Sequence, residues 1–216
     1  MGELVLVRHG QASFGAEDYD VLSPLGHTQA EWLGGYFEAH GMRFDRMFRG
    51  ALRRHRETAE GIARSFTVPE AEVDARFDEF HYHLLEEEYL RATGADASTS
   101  REEFLERFPA VLSAWDAGDV AGEETMAEFE TRVAAACTAA LRPDQNTLVV
   151  TSGGVIGMAL RRVLGLDARA TANMMVNIHN ASVHRFVLEE GQLRLSLFNA
   201  SPHLDPTDRA HARTYV

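Results

Sequence analysis

An apolar run, Leu4-Val5-Leu6-Val7, stops abruptly at Arg8-His9-Gly10-Gln11: a cation, an imidazole and a glycine in succession. In open α/β sheets ligands bind outside the carboxyl ends of the strands, so Arg8 and His9 emerge where a site is expected. Gly10 lets the backbone turn sharply or approach a ligand without a Cβ in the way. A second stretch, Ser152-Gly153-Gly154, follows another apolar run and opens a helical segment, a geometry that aims free backbone N–H groups at an anion. Between them Arg43, Arg46, Arg49, Arg53, Arg54 and Arg56 crowd into fourteen residues against the single Asp45. Taken singly, each stretch also reads as a charged turn, a packing glycine pair or a solvated helix face. Their combination points to an anion site.

The elements that must position these residues alternate strand and helix. Leu4 to Val7 is short and wholly apolar, which predicts a strand buried on both faces, as in a parallel sheet. Ser23 caps a helix with Pro24 at its first position, running through Gln29, Trp32, Leu33 and Phe37 to a stop at Gly41. A strand around Arg46–Phe48 precedes a helix over Leu52–Phe66. The stretch Val68 to Phe77 is mixed, with a strand expected at its end. Leu84 to Ala140 reads as helical with interruptions at 94–100, at Pro109 and at 118–122. Thr147–Thr151 is a second buried strand, leading into a helix over Val155–Leu164. Ser182–Leu188, a turn at Glu190-Gly191 and Leu193–Phe198 suggest a hairpin. There is no internal repeat, low-complexity tract or long linker.

Composition narrows the function classes. A chain of 216 residues, 45% hydrophobic and 25% charged, suits one large domain with a full core. The formal charge of -12 argues against nucleic acid and against an anionic membrane as partners. Most of that charge lies between His81 and Glu130, where thirteen carboxylates face three arginines. The opening apolar run is too short for a signal peptide or a membrane span, and a cytoplasmic address is expected. Cys137 cannot form an internal disulfide and suits a small buried apolar role.

Nearly end to end, the chain resembles the histidine phosphatase superfamily, the phosphoglycerate mutase-like proteins. Arg8-His9-Gly10-Gln11 matches its signature, and Leu22-Ser23-Pro24-Leu25-Gly26-His27-Thr28-Gln29-Ala30 its opening helix. Leu52-Arg53-Arg54-His55-Arg56-Glu57-Thr58-Ala59 matches the second arginine motif and places that role on Arg54. Phe77-Asp78-Glu79 matches the acid motif. The resemblance implies one domain over residues 1–216, a three-layer α/β/α sandwich on a mostly parallel sheet, with residues 81–130 as a helical lid over the site. It implies a phosphatase acting on a small phosphorylated metabolite, without metal or cofactor, and a homodimer is left open. His9 would become phosphohistidine, Glu79 would protonate the leaving group and then activate water, and Arg8 and Arg54 would grip the phosphate with Ser152 and Gly153 beside them.

The departures from the motif concern the chemistry. The family places a second catalytic histidine where this chain has Ser152. Gly50 replaces a common serine, Glu57 a common glutamine, and Phe14-Gly15 an aromatic followed by asparagine. A serine hydroxyl offers a neutral bond where a protonated imidazole would offer a charged one, so attenuated turnover is expected unless another group fills the gap. The candidate substitutes are the N–H groups of Gly153 and Gly154, or His179. The alternative is a phosphate-binding or regulatory protein that does no chemistry on the same scaffold.

Overall fold

The computed structural model describes residues 2–13, 20–98 and 100–215. The Phe14-Gly15 departure lies outside the described residues. In chain order the elements are β1 (Glu3–Arg8), α1 (Pro24–Ala39), β2 (Arg46–Arg49), α2 (Arg53–Ala63), β3 (Ala71–Val73), α3 (Tyr82–Thr93), α4 (Arg101–Ala117), α5 (Met126–Ala140), β4 (Asn146–Thr151), α6 (Gly153–Leu164), α7 (Ala168–Met175), β5 (Val183–Glu189) and β6 (Gln192–Ala200).

The six strands form one sheet in the order β3-β2-β4-β1-β5-β6. The first four run parallel, and the hairpin of β5 and β6 adds antiparallel strands beyond β1. Alternation along the central strands sorts side chains into two cores. Leu4, Leu6 and Val149 face a core shared with α4, α5, α6 and α7, whereas Val5, Val7, Leu148 and Val150 face α1 and α2 through Leu33, Phe37, Ala59 and Ile62. The result is the expected three-layer sandwich. Phe80, Leu85, Phe108, Trp115 and Met126 belong to the first of these cores, so the helical segment between β3 and β4 is packed continuously with the sheet.

Ser23 caps α1 by accepting from the Gly26 N–H at 3.1 Å, as its position predicts. Cys137 is buried in α5, where burial pushes its thiol up to about 12, an apolar role. Several boundaries differ from the pattern reading. Pro109 does not interrupt its helix but lies inside α4. Its missing N–H removes one bond, while Phe108, Val111, Leu112 and Trp115 bury the helix on either side of it. The strand expected at the end of 68–77 occupies Ala71–Val73, and Ala75–Phe77 is a 3-10 turn held by the Asp74 side chain. Helix α2 ends at Ala63 rather than Phe66, and α6 begins at Gly153 rather than Val155. No membrane-length apolar helix exists among the described residues.

Candidate active site

The register of the sheet brings the chemical residues together. Arg8 is paired with Thr151 across β1 and β4, and Arg49 with Val150 across β2 and β4, so His9, Ser152 and Gly50 leave three adjacent strands at one edge. The His9 N–H donates to the Thr151 carbonyl at 2.9 Å, and the Gly50 N–H to the Val150 carbonyl at 3.2 Å.

The loop after β1 is fixed by glycine contacts and hydrogen bonds. A Cβ on Gly10 would lie 2.4 Å from the Gly26 carbonyl oxygen, so the loop can touch α1 only with glycine there. The Gly10 N–H donates to Thr58 Oγ1 at 3.0 Å, and that hydroxyl donates to the Arg54 carbonyl at 2.8 Å, which joins the first loop to α2. The Gln11 N–H donates to Gln29 Oε1 at 2.8 Å, and Gln29 Nε2 donates onward to the Ala212 carbonyl and to Thr214 Oγ1. Asn180 closes the circuit. Its N–H donates to the Thr214 carbonyl, its side chain accepts from Thr214 Oγ1 at 2.9 Å, and its Nδ2 donates to the His9 carbonyl at 3.3 Å. Glu57, in a position where glutamine was the expectation, accepts from the Leu22 N–H at 2.9 Å and from Arg53 Nε at 2.7 Å. It thereby ties α2 to the start of α1.

His9 is buried at 4% exposure, with Nδ1 2.8 Å from the Gly10 carbonyl. A carbonyl accepts only, so Nδ1 carries the proton and Nε2 keeps its lone pair. Burial, followed by the charges of Arg54 and Arg8, holds the imidazole well below its ordinary pKa. A neutral ring with Nε2 unprotonated is the form that can attack phosphorus.

Arg8 is buried and donates to the Ile178 carbonyl. Arg54, buried at the start of α2, donates from Nη1 to Asp20 Oδ1 at 2.8 Å. Asp20 also accepts from the Arg53 N–H at 2.7 Å, so it serves the exposed first turn of α2 as well as the guanidinium. Glu79 follows the 3-10 turn, and Thr151 Oγ1 tethers that turn through the Phe77 carbonyl at 2.7 Å. Its Oε2 accepts from the Gly154 N–H at 3.0 Å. Burial is the largest influence on its carboxyl and raises its pKa, against the opposing pull of that N–H and of Arg54 and Arg8. A carboxyl so placed can hold a proton to give away. Glu79 also borders a cleft of about 190 Å³ with Asp78, Phe80, Trp115, Glu123 and Arg132 on its walls.

Ser152 is completely buried, and its Oγ lies 2.7 Å from Nε2 of His55. His55 was passed over in the sequence as a spacer between Arg54 and the Thr58-Ala59 pair. Its ring is 0% exposed, its centroid is 5.8 Å from that of His9, and its Nδ1 is 3.5 Å from Asp78 Oδ1. Asp78 in turn accepts from the N–H groups of Ala51 at 2.7 Å and Leu52 at 3.3 Å. The signal that could have exposed His55 was a histidine in the second arginine motif of a chain that departs from its motifs at Gly50 and Ser152.

Two of the substitutes anticipated for a histidine at 152 have other partners. The Gly154 N–H is engaged by Glu79. His179 turns to the C-terminal segment, with Nδ1 3.4 Å from Ser201 Oγ and its ring 5.8 Å from that of Tyr215. Gly153 opens α6 against Arg8, whose Nε would stand 3.7 Å from a Cβ at that position. His9, Arg8, Arg54, Glu79, Ser152 and Gly153 thus converge on one sheet edge, with His55, Asp78 and Asp20 added by the fold.

Comparison with known proteins assigns the class. The model of the histidine phosphatase superfamily (branch 1) matches residues 4–201, and the chain belongs to that family. No curated protein sequence matches it significantly. Among solved structures, it is similar to a phosphoserine phosphatase variant from Entamoeba histolytica in complex with phosphoserine, with 19% identity and a TM-score of 0.68 over 94% of this chain and 100% of that one. It is also similar to a mycobacterial glucosyl-3-phosphoglycerate phosphatase, with 22% identity and a TM-score of 0.63 over 92% of this chain and 98% of that one.

Proposed function

We propose that this chain is a phosphatase that hydrolyses a small phosphomonoester through a phosphohistidine at His9. The observation that carries the reading is a buried imidazole kept neutral and a buried carboxyl whose pKa is raised, both within the field of Arg8 and Arg54 at one sheet edge. A protein that only binds phosphate has no use for both. The names of the two structural neighbours, a phosphoserine and a glucosyl-3-phosphoglycerate phosphatase, agree in reaction class.

In the first half-reaction His9 Nε2 forms a bond to phosphorus as the ester oxygen leaves in line, and Glu79 gives its proton to that oxygen. In the second, water attacks phosphorus, the N–P bond breaks, and Glu79 takes the water's proton. Arg8 and Arg54 hold the non-bridging oxygens through planar donor pairs, and no metal is required for either half. Of these residues Glu79 alone lines the cleft of about 190 Å³. The attenuation expected from Ser152 applies only where no other cation or donor stands in for the missing imidazole.

The test is rapid quenching with labelled substrate. Phosphohistidine is labile to acid and stable to base, so wild type should yield base-stable label that His9→Ala lacks. Label retained in His9→Ala, or turnover unchanged by that substitution, refutes the assignment. Label stable to acid and lost in base would instead mark a hydroxyl acceptor.

A further inference from the structure

We propose that His55 is the second histidine of this site, moved from the end of β4 to the first turn of α2, and that it supplies positive charge to the transferring phosphoryl group through the Ser152 hydroxyl. The inference rests on the phosphatase reading for its chemistry, though not for its geometry.

Gly50, His55 and Ser152 fit one another sterically. A Cβ on Gly50 would lie 2.2 Å from His55 Nδ1 and 2.4 Å from Asp78 Oδ1, so the imidazole and its carboxylate occupy the volume that a serine there would fill. A histidine at 152 would extend past the present Oγ position, which is already within 2.7 Å of His55 Nε2. A histidine at 152 in the side-chain direction of the present serine would therefore meet the His55 ring. Ser152 Oγ holds that imidazole at Nε2, and the Asp78 carboxylate faces Nδ1 from 3.5 Å.

The Asp78 carboxylate, 3.5 Å from Nδ1 and short of hydrogen-bond geometry, favours by its charge a resting ring protonated on Nδ1, which leaves Nε2 to accept from the Ser152 hydroxyl. The groups facing His55 are the cation of Arg54, the carboxylates of Asp78 and Asp20, and the ring of His9; burial outweighs the two carboxylates and keeps the ring neutral. A phosphomonoester dianion at His9 adds negative charge to that balance. His55 then takes a proton from solvent, Nε2–H donates to Ser152 Oγ, and the serine hydroxyl turns its own hydrogen to a phosphoryl oxygen. An Nε2–H bond forms as a solvent hydronium gives up its O–H, no other covalent bond changes in this step, and the imidazolium persists through both half-reactions.

Two measurements test the inference. With uniformly 15N-labelled protein and saturating inorganic phosphate, the His55 ring signals, assigned by their absence in His55→Ala, should shift to those of the doubly protonated ring near neutral pH, and Asp78→Asn should weaken that shift. In steady-state assays of the wild type's best phosphomonoester, His55→Ala and His55→Gln should lower kcat on the order of 10² to 10³ with a smaller change in KM, the usual effect of removing one preorganised donor. The limb of the pH profile set by His55 should disappear with them. The exchanged variant Gly50→Ser/His55→Ala/Ser152→His should recover at least about tenfold of that loss. A His55 ring that stays neutral with phosphate bound overturns the inference. So does a kcat within about threefold of wild type in both His55 variants, or His179→Ala abolishing turnover that they retain. If wild type hydrolyses nothing, the phosphatase reading fails, while the phosphate-dependent protonation of His55 still decides this one.

Discussion

Gly154→Ala isolates the proton donor without removing it. A Cβ built on Gly154 would lie 2.0 Å from Glu79 Oε1 and 2.6 Å from the Phe80 ring, where ordinary contact begins near 3.4 Å. Phe80 cannot give way, because its ring is stacked 5.0 Å from Trp115 and packed 5.3 Å from Phe129. The carboxylate must therefore withdraw by more than an ångström and lose its bond from the Gly154 N–H. A displacement of that size costs about 10² in rate when geometry is critical, and general acid catalysis contributes about 10² to 10⁴. The expected outcome depends on the leaving group. With an alkyl phosphate, kcat should fall about 10²-fold, close to the loss in Glu79→Gln. With p-nitrophenyl phosphate, whose leaving group departs without a proton, the loss in the first half-reaction should be within about tenfold, read as the burst of nitrophenolate. Overpacking should cost about 1 to 3 kcal/mol of stability, visible as a lowered Tm in a still folded protein. Equal losses for the alkyl and aryl substrates would falsify the assignment of Glu79 as proton donor.

Asp20→Asn removes the carboxylate that a substrate phosphate must displace from Arg54; competitive inhibition by inorganic phosphate should tighten up to about fivefold, a partly buried ion pair being worth up to about 1 kcal/mol. Weaker inhibition would mean that Asp20 orients the guanidinium for phosphate instead of competing for it. His184 and His203 are buried, and burial lowers both to about 3, so the folded state binds fewer protons than the unfolded chain below about pH 6.5. Stability should be full above that pH and fall as pH drops toward 3, by about 2 kcal/mol for each histidine at pH 5; urea unfolding at pH 7.5 and pH 5 measures it, and equal midpoints refute it. Mutase activity should be absent, because the cleft beside Glu79 carries Asp78, Glu123 and Glu124, and its Arg132 is already paired with Glu124 and with the carbonyls of Arg76 and Asp78. Proton NMR of 3-phosphoglycerate with a trace of the bisphosphate should show no 2-phosphoglycerate, and rapid interconversion contradicts the reading.

What was legible in the sequence was what is encoded locally. Strands β1 and β4 carry the apolar runs Leu4–Val7 and Leu148–Val150 and end at chemistry, and Ser23-Pro24 announces α1 within two residues. The motif residues His9, Arg8, Arg54 and Glu79 were found because their spacing is a property of single loops. Helix α7 was missed because Ala168–Met175 is short and its apolar positions are mostly alanine; Asp167 caps it, and Ala168, Ala172 and Met175 bury one face. Pro109 was misread because a local rule was overridden by packing on both sides of it. His55 was illegible for a different reason. Its meaning depends on Ser152, ninety-seven residues away in sequence, and on the space left by Gly50, neither of which a motif of contiguous residues contains.

The hydrogen bonds that run from the His9 carbonyl through Asn180 to Thr214, and from Gln11 through Gln29 to Ala212, set an order of events in synthesis. His9 precedes the residues that buttress its loop, Asn180, Ala212 and Thr214, by most of the length of the fold. Until residues 212–214 dock, the β1 loop has neither its Gln29 anchor to the C-terminal segment nor the Thr214 bonds that hold Asn180 beneath His9. A nascent chain thus carries His9 without these bonds until the segment after β6 has emerged, and the proposed site is completed only when that segment docks.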